Sequence, residues 1–220
     1  MHERWTLGRM QNPVRGFLHG GAAVAASIGL GWLAFRAWGD AARFVGVLVF
    51  GLSMVGVYTV SSLYHSVPWS RRWKERMQRL DHTMIFFLVA GTYTPLALAL
   101  LDDPWRVASL AVVWTVAGIG AVLKLGFPRL WGGLSIVMQV GLGMAAFVFV
   151  AELVRRVGWG LVALAAIGGA IYIVGVIMLV THRPRLFPRV FSYHEAFHVL
   201  VIVANAVHFV MVTKYVVLTA

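Results

Sequence analysis

Seven apolar runs, each near the ~20 residues needed to cross a bilayer core, occupy almost the whole chain. They cover approximately 16–37, 44–66, 81–101, 105–126, 131–154, 158–181 and 194–216. A chain patterned this way has few folds open to it. In lipid, backbone polar groups must bond within a helix or around a closed barrel. These runs are about twice the length of a barrel strand and do not alternate polar with apolar residues, so they predict helices. The breaks carry Pro, Gly or charge: Pro68 with Arg71 and Arg72, Asp102-Asp103-Pro104, Gly126-Phe127-Pro128-Arg129, Arg155-Arg156 and Arg183-Pro184-Arg185. The predicted fold is an all-α integral membrane protein, a seven-transmembrane helix bundle with a cytoplasmic N-terminus. Residues 1–15 form a cytoplasmic N-terminal segment, 16–216 the seven-helix transmembrane domain and 217–220 a short C-terminal tail.

The first run follows Arg4, Arg9 and Arg15 and contains Ala-Val-Ala-Ala, features shared with cleavable signal peptides. It is longer than a signal core, and six more runs follow, so it is read as a retained helix. Composition agrees with a membrane class: 60% of residues are hydrophobic and only 12% charged, too apolar for a soluble domain of this length. The net charge of +11 does not indicate nucleic-acid binding, because the basic residues sit in short gaps between apolar runs. There are no cysteines, so a transition-metal site must use His, Asp or Glu.

The basic residues also set orientation. One set of gaps holds Arg4, Arg9, Arg15, Arg71, Arg72, Lys74, Arg76, Arg79, Lys124, Arg129, Arg183, Arg185 and Arg189; the other holds Arg36, Arg43, Arg106, Arg155, Arg156 and Lys214. Positive charge favours the cytoplasm, so the first set is placed inside. The expected location is the plasma (inner) membrane, multi-pass, with the oligomeric state left open.

Ionisable residues inside spans are costly and mark function. His65 ends the second run, Asp81 begins the third, and His194 and His198 begin the seventh. All four are thereby expected in one layer near the cytoplasmic face. His194 and His198, four residues apart, share one helical face and can chelate a single ion. With His65 as third ligand and water in the fourth position, they match the open tetrahedral arrangement of catalytic zinc. Asp81 is then expected to accept a hydrogen bond from that water as orienter or general base. Ser61, one turn before His65, is expected to bond the same water or a substrate oxygen. The alternative is that these histidines only bond between helices.

The other polar residues read differently. His208 lies ten residues beyond His198, about 15 Å along a helix, too far to share the ion. His82 points about 100° away from Asp81, toward another helix or the interface. His2 and His182 are expected in solvated flanks, and His19 either supports the site or packs locally. Glu195 suits a helix N-terminus at the cytoplasmic mouth. Asp102 and Asp103 read as a solvated turn, and Trp69, Trp105, Trp131 and Trp159 as interfacial anchors. Gly132, Gly133, Gly141 and Gly143 are expected to permit close helix packing. No nucleophile elbow, phosphate loop or nucleotide fingerprint is present.

Three segments resemble a known family: Ser61-Ser62-Leu63-Tyr64-His65, Leu80-Asp81-His82 and His194-Glu195-Ala196-Phe197-His198-Val199-Leu200. They look like the signatures of the hemolysin III family, the bacterial branch of the progestin and adiponectin receptor proteins, in a larger group that includes alkaline ceramidases. The resemblance implies zinc ligation by His65, His194 and His198, with Asp81 and Ser61 around the metal-bound water. Many relatives also carry E-x-x-N-x-x-T-H in the first motif. Aligned on His19, this chain has Asn12, Arg15 and Leu18 at those three earlier positions, so the acidic residue is absent.

The leading functional expectation is a zinc-dependent hydrolase of a lipid amide or ester, its substrate reaching the site from within the bilayer. Resemblance to ceramidases favours an amide by analogy. The alternative is a non-enzymatic receptor or membrane-perturbing, haemolytic protein in which zinc is structural. A zinc or proton transporter fits less well, because few polar groups continue beyond His208.

Overall fold

The computed structural model describes residues 10, 12–127, 132–187 and 190–218. The expectations for His2, Arg4, Arg9, Arg129, Trp131 and Arg189 fall outside those residues. Within them the chain is helical: α1 (Pro13–Arg36), α2 (Ala41–Ser66), α3 (Arg71–Leu100), α4 (Trp105–Gly126), α5 (Gly132–Met144), α6 (Val150–Val157), α7 (Trp159–Thr181) and α8 (Tyr193–Val212). A 3₁₀ turn, Ala145–Phe149, joins α5 to α6, and a π turn, Thr213–Val217, continues α8. No strand occurs among the described residues; the one β-bridge pairs Phe187 with Phe191. Among the described residues, six helices are long and apolar enough to cross a membrane. This is a multi-pass helical membrane protein.

Two sequence-based boundaries are corrected. Helix α3 begins at Arg71, so Asp81 sits ten residues inside the helix rather than at its start. Arg71, Arg72, Lys74, Arg76 and Arg79 are therefore helical. Their long side chains favour helix and find water beyond the apolar run. The fifth apolar run is not one helix but α5, the 3₁₀ turn and α6. Gly141 and Gly143 weaken the helix just before this break. There the Tyr93 hydroxyl donates to the Gly143 carbonyl at 3.3 Å.

Helices α2 and α3 are the most enclosed spans. Their approach is set by small residues: a Cβ on Gly46 would stand 2.7 Å from Cα of Pro95, and one on Gly91 would strike the Ser53 side chain. Gly133, Gly141 and Gly143 of the fifth run do not serve this purpose, since they face open space; the surroundings of Gly132 lie outside what is described. One core gathers Leu33, Val47, Phe50, Met54, Val57 and Met211 from α1, α2 and α8, and a smaller one packs Phe86 and Ala90 against Val113 and Ala117 of α4. Hydrophobic side chains also cover the outer surface, for example Ile28, Phe35, Val122, Ile167 and Ile177, as a lipid-facing surface requires.

The two ends of the bundle are tied differently. At one, Glu152 bonds Arg155 and Arg156, and Arg156 reaches across to Asp102 at 2.7 Å. Asp102 and Asp103 are exposed, as the solvated-turn reading expects. At the other end, the backbone N–H of Asn12 donates to the His65 carbonyl at 3.0 Å, and the Ser62 hydroxyl donates to the Gly16 carbonyl at 2.8 Å. Thus the start of α1 is fastened to the end of α2, where the histidines gather.

Candidate metal centre

His65 lies in the last turn of α2, and His194 and His198 lie in the first two turns of α8. One ring nitrogen from each can be chosen so that all three lie within 4.8 Å of one another. The ring centroids are 4.8 Å apart for His65 and His198, 5.1 Å for His194 and His198, and 5.5 Å for His65 and His194. His65 and His198 are each only 2% exposed, while His194 is half-buried.

The donor set fits a metal ion. Nε2 of His65 is buried without a hydrogen-bond partner, an arrangement that is costly unless something else satisfies it. On His198, Nδ1 is already engaged: it lies 3.0 Å from Nε2 of His19. That contact leaves the other ring nitrogen of His198 for an ion. Three imidazoles without thiolates suit zinc and its first-row neighbours rather than magnesium or calcium.

Asp81 enters from α3 and shares a hydrogen bond with the Ser61 hydroxyl. Ser61 is buried one turn before His65, so the pair joins the carboxylate of α3 to the face of α2 that carries His65. All five residues singled out for the site therefore lie at one end of the bundle.

His208 and His182 stand apart from the cluster, and His82 borders it. His208 packs against Tyr172, ring centroids 5.8 Å apart, and hydrogen-bonds the backbone of Ala165. The His82 carbonyl accepts from Gln139 of α5 at 3.0 Å, and its ring is in electrostatic reach of both Lys124 of α4 and His65 of the cluster. His182 ends α7 in a left-handed conformation, φ 56°, and is exposed.

Of two supports, the sequence reading left His19 open between a supporting role and local packing, and it missed Arg15. His19, buried on α1, stacks on His198 with centroids 4.1 Å apart and meets the Tyr58 ring edge-on at 5.1 Å. Arg15, one turn earlier, donates through Nε to Glu195 Oε1 at 2.7 Å. Glu195 is not at an open mouth: it is buried and also accepts from the Ser192 backbone N–H at 2.9 Å. The Ser192-x-x-Glu195 spacing is that of a capping box, a sequence signal that marks where α8 starts. Further along α8, Asn205 donates to the Tyr58 hydroxyl at 2.8 Å and accepts from the Tyr172 hydroxyl, linking α2, α7 and α8.

A polytopic helical bundle holding a buried three-histidine cluster at one end defines a narrow class of membrane protein. Residues 8–209 match the family described as Haemolysin-III related, and the chain belongs to it. It is 33% identical over 183 residues to Hemolysin-3 of Bacillus cereus, covering 83% of this chain and 80% of that one. It is 29% identical over 178 residues to the Hemolysin-3 homolog of Bacillus subtilis (81% and 80% covered). At 21% identity over 203 residues it also resembles the human Monocyte to macrophage differentiation factor, with 90% of this chain and 82% of that one covered.

Proposed function

We propose that the chain is a zinc-dependent hydrolase of a lipid amide or ester, working at the cytoplasmic end of a seven-span bundle in the plasma (inner) membrane. The observation that carries this reading is the convergence of His65, His194 and His198 at the end of the bundle where Asp81 bonds Ser61, one turn before His65. A structural ion needs the ligands only. A buried carboxylate and hydroxyl bonded to each other at the same end are the groups that proton transfer requires.

The topology supports seven crossings. His65 ends α2 and His194 begins α8, yet they meet. If α3, α4 and α7 each cross, the chain between α4 and α7 must cross as well for those two ends to coincide. Residues 132–157 span about 40 Å as two helices and a 3₁₀ turn, enough for a bilayer core. The excess of Lys and Arg at the histidine end supports its placement in the cytoplasm.

Zinc held by His65, His194 and His198 would supply Lewis acidity, polarising a carbonyl and making water easier to deprotonate. Asp81 takes the proton from the attacking water and returns it to the leaving group. The Ser61 hydroxyl orients that carboxylate in the free protein and bonds the developing oxyanion when substrate is bound. Burial of the site among apolar helices excludes bulk water and suits an acyl chain arriving from the bilayer.

The test is a comparison of purified wild type with Asp81→Asn and His194→Ala, following metal content and release of fatty acid from lipid amides and esters. The expected result is zinc in wild type and Asp81→Asn but not in His194→Ala, and turnover in wild type alone. Wild type that binds zinc but hydrolyses none of these lipids would favour the receptor or membrane-perturbing reading. Absence of zinc from wild type would overturn the centre itself.

A further inference from the structure

The connection between α7 and α8 presents large apolar side chains that the proposed reaction does not use. Leu186, Phe187 and Val190 are 54%, 71% and 47% exposed. Backbone bonds hold them in a closed turn. The N–H groups of Val190 and Phe191 donate to the Phe187 carbonyl at 2.9 and 2.8 Å, and the Phe187 N–H donates back to the Phe191 carbonyl at 2.8 Å. At the base of the turn, the Ser192 hydroxyl donates to the Pro184 carbonyl at 3.3 Å, and the Arg183 N–H donates to the Met178 carbonyl of α7 at 3.2 Å. The apolar tip is thus built outward rather than folded under.

The charge around it has one sign. Between Thr181 and Glu195 the sequence holds Arg183, Arg185 and Arg189 and no acidic residue. Arg183 and Arg185 are exposed, and neither forms an ion pair among the described residues. Glu195, the next carboxylate along the chain, is buried and bonded to Arg15.

The tip also has little reach. Helix α7 is still apolar and exposed at Ile177 and Val180, within a turn or so of its end at Thr181. From Pro184, where Ser192 closes the turn, to Phe187 is three residues, at most about 10 Å of extended chain. The headgroup layer beside the hydrocarbon core is itself roughly 5–7 Å deep. A protein partner would therefore have to enter that layer to meet the tip.

We infer that Leu186, Phe187 and Val190 dock into the headgroup–acyl boundary of the bilayer that holds the bundle, with Arg183 and Arg185 against anionic headgroups. Apolar side chains flanked by cations are the composition that adsorbs at this depth, and each basic residue near the surface adds attraction to anionic lipid. The turn ends on Ser192, the cap of α8, so docking steadies the start of the helix that carries His194 and His198. The inference does not rest on the proposed hydrolysis; it requires only that the bundle sits in a bilayer.

The chain has no cysteine, so one introduced cysteine takes a nitroxide label at a chosen position. Full-length Val190→Cys is labelled and placed in vesicles of equal parts phosphatidylglycerol and phosphatidylcholine. Collision of the label with oxygen, which favours lipid, is compared with collision with a nickel chelate, which stays in water. Ile177→Cys supplies the lipid reference and Arg71→Cys, at a side chain 97% exposed, the water reference. The label at 190 is expected to meet oxygen more and nickel less than the label at 71, at a shallower depth than the label at 177. Adding Leu186→Ser with Phe187→Ser should return it to the water value. Arg183→Gln with Arg185→Gln, or vesicles of phosphatidylcholine alone, should bring it nearer the surface.

A label at 190 as open to nickel as the label at 71 would overturn the docking. Shielding from both reagents would overturn it in favour of a protein cover, a second copy of this chain included. Depth unchanged in the folded serine variant would remove the tip from the contact, and depth unchanged in phosphatidylcholine would remove the anionic headgroups. The first two outcomes need no change to the apolar tip or the arginines beyond the label, so a variant that fails to fold does not rescue the idea.

Discussion

His19 Nε2 lies 3.0 Å from His198 Nδ1, a hydrogen bond that joins the first long helix to the last inside the histidine cluster. It fixes which nitrogen of His198 faces inward and holds the ring plane. Partners of this kind raise metal affinity by orienting a ligand that would otherwise rotate. His19→Ala is expected to weaken zinc binding about 10- to 100-fold, measured by competition with a chromophoric chelator. His19→Gln, which can still bond Nδ1, should recover part of the loss. If both variants bind zinc as wild type does, His19 is only packing.

The Arg15–Glu195 pair ties the same two helices one turn nearer the end of the bundle. Both side chains are largely buried, at 14% and 9% exposure, so removing one partner leaves a charge with little water to receive it. Glu195→Ala also removes the acceptor for the Ser192 N–H. Its expected cost is about 3 kcal/mol of stability, read as a lower midpoint of thermal unfolding in detergent. Replacing both residues by Met should cost much less than Glu195→Ala alone. A double variant as unstable as the single would mean that the pair contributes more than mutual neutralisation.

Gly46 and Gly141 make opposite predictions from the same substitution. A methyl on Gly46 meets the Pro95 backbone, which cannot swing aside as a side chain can, whereas a methyl on Gly141 meets open space. Gly46→Ala should destabilise by about 1–3 kcal/mol, and Gly141→Ala should be neutral or slightly stabilising. Equal melting temperatures for the two variants would contradict the α2–α3 packing described above.

Asn205 bridges Tyr58 and Tyr172 in the middle of the bundle, where no bulk water can replace it. Asn205→Leu strands both hydroxyls and is expected to cost about 1–2 kcal/mol. Tyr172→Phe removes one bond and should cost less than 1 kcal/mol by the same reasoning. Unfolding curves for the two variants, recorded in one detergent, check the order.

What the sequence made legible was periodic or additive. Apolar runs located the spans, a four-residue interval put His194 and His198 on one face, and alternation of direction brought His65 and Asp81 to their level. The rest depended on contacts between helices. Nothing in the first apolar run says that His19 points at His198, because that depends on how α1 packs against α8. Hydropathy alone starts α3 at residue 81 because it sees charge as a break, although Arg and Lys continue a helix readily once it leaves the lipid. The fifth run looks like one helix in sequence because glycine counts as apolar, while the Tyr93 bond to Gly143 joins residues 50 apart along the chain.

The histidine cluster draws on both extremities of the chain: ligands from the second and last helices, and a supporting ring from the first. During synthesis no partial product can hold the ion in this way. A ribosome that has released the chain through α7 has delivered only His65. An ion held by all three, as proposed, would be captured only after α8 is inserted, and a chain truncated before Tyr193 would keep most of its spans and lose two of the three histidines. In biogenesis, loading with metal would serve as a molecular receipt for the insertion of α8.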